Sequence, residues 1–249
     1  MPERGPTSHP RVAALEAIDF IRDHADEERA AGVQRYFKEP VQAYGLTTPV
    51  IREWTKAFVR ERKDEWTVED AVEFCDAMLE DPHVEPRGTG YLVVAGFVDG
   101  AGPELLNDVE RWLEESCGNW ALVDNLATSV LSPLLRKHPE LVSRLKEWTH
   151  SPNPWLRRGA PVGLVKLVRQ GEQLDAAYDV VSRLLGDEED LLHKAVGWML
   201  REAGKADRDR LESWLLKMGP RLPRTTLRYA IERFPKEERK RLLEATRES

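Results

Sequence analysis

The sequence predicts an all-α protein, a helical-repeat solenoid that curves into a superhelix. Three observations predict it. Strand signals are nearly absent, apolar residues recur at three- and four-residue steps, and a loose period near 36 residues runs through the second half. Hydrophobic content of 41% beside 33% charged residues over 249 positions allows a sizeable core and argues against disorder.

Taken in order along the chain, the helical steps are plain. Val68, Ala71, Val72, Cys75 and Leu79 fall on one face, and so do Leu174, Ala177, Tyr178, Val181 and Leu185. The β-like run "YLVVAGFV" (91–98) reads equally well as a buried helix, because helical pattern flanks it on both sides. Breakers separate the segments: "EDPHVEPRG", "DGAGPE", "RKHP", "SPNP", "RQGE", "LGDEED" and "MGPRLPR". They divide the chain into on the order of twelve helices joined by short turns. In "NPWLRRGA", Asn153 is a candidate N-cap and Pro154 sits at the first helical position, where a missing N–H costs nothing. Pro161 removes a helix bond to the Arg157 carbonyl and predicts a kink. "EPRGTGYLVV" (85–94) is rich in glycine for a repeat helix.

The period comes from two related stretches. "NPWLRRGAPVGLV" and "EEDLLHKAVGWML" both open on polar turn residues, set two apolar residues before two basic ones, and run on into a small-residue apolar helix. Arg158 and Lys194 stand 36 residues apart, and "PRTTLRYAIERF" begins a weaker third copy carrying Arg228. A two-helix unit of that length is the mark of HEAT-like solenoids, whose successive units present the same helix edge on a concave face. Basic residues repeated at helix starts would then line one groove.

Charge agrees with such a groove. The net charge is −7, but residues 1–125 hold 13 Lys and Arg against 26 Asp and Glu, and residues 126–249 hold 24 against 18. An acidic half thus precedes a basic one, which suits a polyanion partner for part of the surface. No apolar run is long enough to span a bilayer, and the first residues lack the apolar core of a signal peptide, so a cytoplasmic protein is expected. Cys75 and Cys117 have no metal-type spacing and read as ordinary buried thiols. The six histidines show no ligand spacing, and there is no phosphate-binding glycine loop or Gly-x-Ser-x-Gly elbow.

Three tryptophans remain. Trp120 precedes Asp124 by four residues, which puts both on one helix face about 6 Å apart at Cβ. Trp155 adjoins Arg157 and Arg158, and Trp198 follows Gly197, where a helix can approach something closely. Asp124 lies between Val123 and Leu126, near an apolar face where a carboxylate needs either a basic neighbour or a function.

Three stretches, "YFKEPVQAYGLTTP" (36–49), residues 119–160 and "HKAVGWMLREAGK" (193–205), together resemble the AlkD-type DNA alkylation repair glycosylases, HEAT-like proteins with a concave DNA-binding face. The ordered set Trp-x-x-x-Asp, Trp-Leu-x-Arg and Gly-Trp carries the resemblance, which runs from about residue 12 to 240. It implies a monofunctional glycosylase that hydrolyses the N-glycosidic bond of cationic N3- or N7-alkylpurines in duplex DNA, with no metal or organic cofactor. By position, Asp124 matches the catalytic carboxylate, and Trp120 and Trp198 match the aromatics that pack on the lesion sugar. Arg158 matches the phosphate-contacting arginine, and Tyr36 an aromatic of the lesion-side groove. Arg157, Trp155, Lys194 and Arg228 are further DNA-contact candidates. One domain is expected over 12–240, with a flexible segment at 1–11 and a tail at 241–249, working as a monomer. The competing readings are a HEAT-fold binder of bent or branched DNA without catalysis, and a scaffold for protein partners.

Overall fold

The computed structural model describes residues 9–247, and among them every regular element is helical, with no strand. No described helix is long and apolar enough to cross a membrane. The chain divides into two compact units, Met1–Trp112 with Ser116–Leu134, and Leu113–Glu115 with Leu135–Ser249. The stretch 12–240, drawn above as one domain, contains the boundary between them.

Unit 1 begins with α1 (Pro10–Asp23), whose buried stripe is Ala13, Ala14, Ala17, Ile18 and Ile21. After α2 (Glu27–Val33), a 3₁₀ turn at Gln34–Tyr36 and α3 (Thr48–Arg62), the α1 stripe meets α4 (Val68–Leu79). A capping box starts α4: the Thr67 hydroxyl accepts from the Asp70 N–H while the Asp70 carboxylate accepts from the Thr67 N–H. The central helix is α5 (Val84–Ala95), against which α4 and α3 pack. It is buried on nearly every side, from Glu85 and Pro86 to Val93 and Val94. That explains the strand-like look of its sequence, because a helix enclosed all round has no polar face to mark its period. Its glycines admit the neighbours: a Cβ at Gly90 would lie 3.1 Å from Cys75 Sγ and 3.2 Å from Met78 Cβ. Both cysteines are free and buried. α6 (Leu105–Glu115) and α7 (Trp120–Leu126) follow, and a π turn at Ala127–Leu131 leads on to α8 (Ser132–Lys137).

The segment 37–47 has no regular structure, and side chains hold it in place. The buried Glu85 carboxylate accepts the N–H groups of Tyr44 (2.9 Å) and Gly45 (2.7 Å). Gly45 sits at φ 88°, a conformation that suits glycine, with the Asp26 backbone against it. The Tyr44 ring stacks on His83 at 3.9 Å, and its hydroxyl donates to Asp81 while accepting from Arg22. Asp81 also takes the backbone and ring N–H of His83. Burial alone would raise the Asp81 carboxyl, but the bonds from His83 and Tyr44 outweigh it and hold it below the ordinary range.

Unit 2 is the repeat seen in the sequence. α9 (Val142–Trp148), α11 (Leu174–Leu184) and α13 (Arg208–Met218) alternate with α10 (Pro154–Val168), α12 (Asp190–Ala206) and α14 (Arg224–Ala230). α10 packs on α12 and α12 on α14, giving a row of equivalent helices. Arg158, Lys194 and Arg228 are each the fifth residue of their helix in that row. Gly197 makes the tightest approach: a Cβ there would fall 2.4 Å from Tyr229 Cβ and 2.7 Å from the Thr226 carbonyl oxygen. The close approach expected beside Trp198 is therefore to α14. Helix α10 runs unbroken through Pro161.

The chain ends differ from expectation. Residues 1–8 of the segment expected to be flexible lie outside the described residues, while Pro10 already opens α1 with its ring buried. Within the expected tail, α15 (Lys236–Ala245) continues the helical pattern because Leu242 and Thr246 are buried; residues 248–249 lie outside the described residues.

Two stability predictions follow from this packing. Gly197→Ala lowers the melting temperature by roughly 2–8 °C, because overpacking against backbone exceeds the gain in helix propensity. Gly32→Ala, with nothing within 4 Å of the new methyl, does not lower it. A Gly197 variant as stable as wild type by circular dichroism would contradict the packing. Because the folded Asp81 carboxyl is depressed, its contribution is complete above the unfolded value near 4 and fades as pH falls below that. Urea unfolding of Asp81→Asn should therefore show a shallower loss of stability below about pH 4 than wild type.

Candidate functional site

Unit 1 brings Tyr36, Trp120 and Asp124 into one neighbourhood. Asn119 caps α7, its side-chain oxygen accepting the N–H groups of Ala121 (3.0 Å) and Leu122 (3.1 Å). Leu122, Val123 and Leu126 turn into the core, so Trp120 and Asp124 share the opposite, half-buried face. The Trp120 indole stacks on Phe37 at 5.4 Å, and its N–H donates to the Tyr36 carbonyl at 3.3 Å. Tyr36 itself is 61% exposed. The Arg35 guanidinium lies 4.8 Å above its ring and donates to its hydroxyl. This aromatic ledge rests on the 37–47 segment, which the Gln34 side chain laces through the Phe37 and Glu39 carbonyls and the Val41 N–H.

Three residues after Asp124 the helix widens into the π turn, where the Ser132 N–H reaches back five residues to the Ala127 carbonyl. π turns of this kind are frequent at functional sites. The Thr128 hydroxyl donates to the Asp124 carbonyl, and Ser129 donates to Asn125, whose amide in turn bonds the Gly88 carbonyl on α5. Asp124 is also close enough to Cys117 to influence it electrostatically. Burial pushes that thiol up to about 12, and the Asp124 charge acts in the same direction.

Sequence reasoning missed Phe37 and Arg35. Phe37 stood inside a stretch already singled out, but nothing in its spacing ties it to Trp120 across an irregular segment. The π turn was missed too, although hydroxyl residues inside a helix, Thr128 and Ser129, were a signal for it.

In unit 2 the predicted cations play different parts. Arg157 does not project as a free surface group. Its Nε donates to Asp187 at 2.7 Å, and its Nη1 donates to the Ser151 and Pro152 carbonyls. It clamps the turn before α10 to the turn before α12. Arg158 is only 6% exposed and donates to the Leu191 carbonyl in the first turn of α12. Close packing around α10, through Gly159, Ala160 and Gly163, encloses it and makes it a strut between repeats. Lys194 pairs with Asp190 one turn earlier at 2.7 Å; that bond raises its pKa, while nearby Arg158 opposes the rise. Arg228 is exposed. Trp155 and Trp198 are half-buried, Trp155 in the capped first turn of α10 and Trp198 one turn beyond Lys194. Trp66, Trp112 and Trp148, by contrast, are core residues. No group of three or more His, Cys, Asp or Glu among the described residues is placed to hold a metal ion.

A family model described as DNA alkylation repair enzyme matches residues 18–234. Among curated proteins, none matches the chain. A solved structure described as a predicted DNA alkylation repair enzyme from Enterococcus faecalis superposes with a TM-score of 0.76. It is 18% identical, with 85% of this chain and 97% of that one covered.

The clamp generates its own prediction. Arg157→Ala leaves Asp187 and two loop carbonyls without their donor, at a cost of about 3 kcal/mol. Calorimetry should show a melting temperature lower by roughly 6–12 °C; a change under about 2 °C would mean the clamp is dispensable.

Proposed function

The chain belongs to the DNA alkylation repair enzyme family, and from that premise we propose that it is a monofunctional DNA glycosylase. Its substrates in this reading are cationic N3- and N7-alkylpurines in duplex DNA. It acts in the cytoplasm as a monomer and leaves an abasic site, without a metal or organic cofactor.

Alkylation at N3 or N7 already makes the purine a good leaving group, so no general acid is required. The C1′–N bond breaks with its electron pair going to the base, which departs neutral. Water then supplies the new C1′–O bond and gives up one proton. Asp124 serves this step twice. Its negative charge stabilises the sugar as it becomes oxocarbenium-like, and its oxygens orient the water and draw its proton. The face of Trp120, steadied by Phe37, adds a cation–π contribution on the order of 1 kcal/mol where water is excluded. In unit 2, the same reading gives Trp198 an indole face for DNA sugar. It gives Arg158, Lys194 and Arg228 phosphate contacts, with Trp155 beside them. Such contacts fix register without reading sequence. Arg158, by holding the Leu191 carbonyl, also orders the turn from which Lys194 projects.

The observation that carries this reading is the Trp120–Asp124 pair, a half-buried carboxylate one turn from an indole propped on a second ring. A carboxylate kept partly away from water on an apolar helix is costly to a protein that only binds DNA, a polyanion. A base-release assay on methylated duplex DNA tests it. Asp124→Asn should lose 7-methylguanine release by 10²-fold or more, the scale for one electrostatic group, with duplex affinity near wild type. Full activity in that variant would refute the role of Asp124. A wild type that binds duplex DNA and releases no base would make the chain a binder without catalysis.

A further inference from the structure

The last two helices of unit 2 carry a basic groove that the reading above leaves unused apart from Arg228. A cavity of about 450 Å³ lies along α14 and α15, with Ile231 and Leu243 as its apolar floor. Arg228, Lys236, Arg239, Lys240 and Arg247 line it, against one carboxylate, Glu244. All five cations are exposed, and none forms an ion pair among the described residues.

The other side of α15 is different. Glu238 is paired with Arg208, and Arg241 with Glu212, both partners lying on α13. Glu238 of α15 is thus committed to α13, and the groove side, with five cations against Glu244, keeps an excess of four positive charges. Arg224 fastens α14 to the end of α15 through the Thr246 hydroxyl and the Leu243 carbonyl. Burial lowers its pKa first, and the like charges of Arg247 and Arg228 add to that. The fold therefore holds mutually repelling cations along one groove with Glu244 as the one carboxylate lining it.

We propose that this groove binds the phosphodiester backbone of a DNA strand, as a contact additional to the residues named for base excision. The proposal rests on the reading of the chain as a DNA-acting enzyme. Its shape favours a polymer over a single anion. From Lys236 to Ala245, the length of α15, the stripe extends about 14 Å at 1.5 Å per residue, a length over which one DNA strand presents about four phosphates. Arg228 joins it to the row of fifth-position cations, Arg158 and Lys194, within the same unit. Exposed Lys and Arg on an apolar floor give affinity for backbone but no base readout.

The test compares the full-length wild type with a Lys236→Ala/Arg239→Ala/Lys240→Ala variant. The measurement is the affinity for an undamaged fluorescent duplex across a potassium chloride series. The slope of log K against log salt should fall by about two to three, at about 0.9 per lost phosphate contact. Melting temperature and single-turnover base release at saturating enzyme should stay unchanged. An unchanged slope in a base-releasing wild type would overturn the groove and leave the glycosylase reading intact. A reduced slope beside a wild type that releases no base would support the groove and sink the glycosylase reading. Inorganic phosphate is added at constant ionic strength as a further probe. If phosphate binds the wild type and not the variant while the salt slope for DNA is the same in both, the groove is a small-anion pocket and the proposal fails.

Discussion

The position of one carboxylate constrains the rest of unit 1. In the proposed reaction Asp124 must be near enough to apolar packing for its charge to act strongly, yet reachable from outside, because charge interactions grow as water is removed and vanish in use if the group is sealed. The structure meets both conditions with a short helix. Leu122, Val123 and Leu126 anchor α7 in the core, the Asn119 cap fixes where it starts, and the π turn follows at Ala127, where α7 ends. A helix only seven residues long has little stability of its own. Its placement comes from α5, which supplies the Gly88 carbonyl to Asn125 and the buried surface beneath.

The same helix α5 controls the aromatic ledge. Glu85, in its first turn, holds the irregular segment through Tyr44 and Gly45, and that segment delivers Phe37 to Trp120. One central helix therefore sets both the carboxylate and the rings beside it. Unit 2 has a comparable centre in α10, enclosed on most sides and bonded through Arg158 to α12. There the packing that builds the repeat also decides which cations brace neighbouring turns and which stand exposed. Arg157 and Arg158 are drawn into holding neighbouring turns, while Arg228 and the cations of α15 remain exposed.

Much of this was legible in the sequence. The three-and-four spacing and the 36-residue period gave the helices and the repeat, down to the equivalence of Arg158 and Lys194. Trp120 and Asp124 could be paired because helix geometry relates residues four apart without any knowledge of the fold. What was hidden depends on contacts distant in sequence. No local rule places Phe37 against Trp120, since the backbone between them includes an irregular segment. Nor does any local rule tell a groove-lining arginine from a strut: Arg157 and Arg158 differ only in what the next turn offers them, Asp187 to one and the Leu191 carbonyl to the other. The charge asymmetry was visible as a count, and its change of sign falls close to the unit boundary at Leu134. The count could not separate the paired cations facing α13 from the unpaired ones facing α14.

The central claim is that Asp124 stabilises a sugar as it becomes positively charged. The most direct measurement compares two duplexes that differ only at the lesion position, one holding a cationic pyrrolidine in place of the sugar and the other its neutral tetrahydrofuran counterpart. Wild type should bind the cationic duplex at least 10²-fold more tightly, the lower range for transition-state mimics, and Asp124→Asn should lose that preference. Equal affinity of the wild type for the two duplexes would contradict the account.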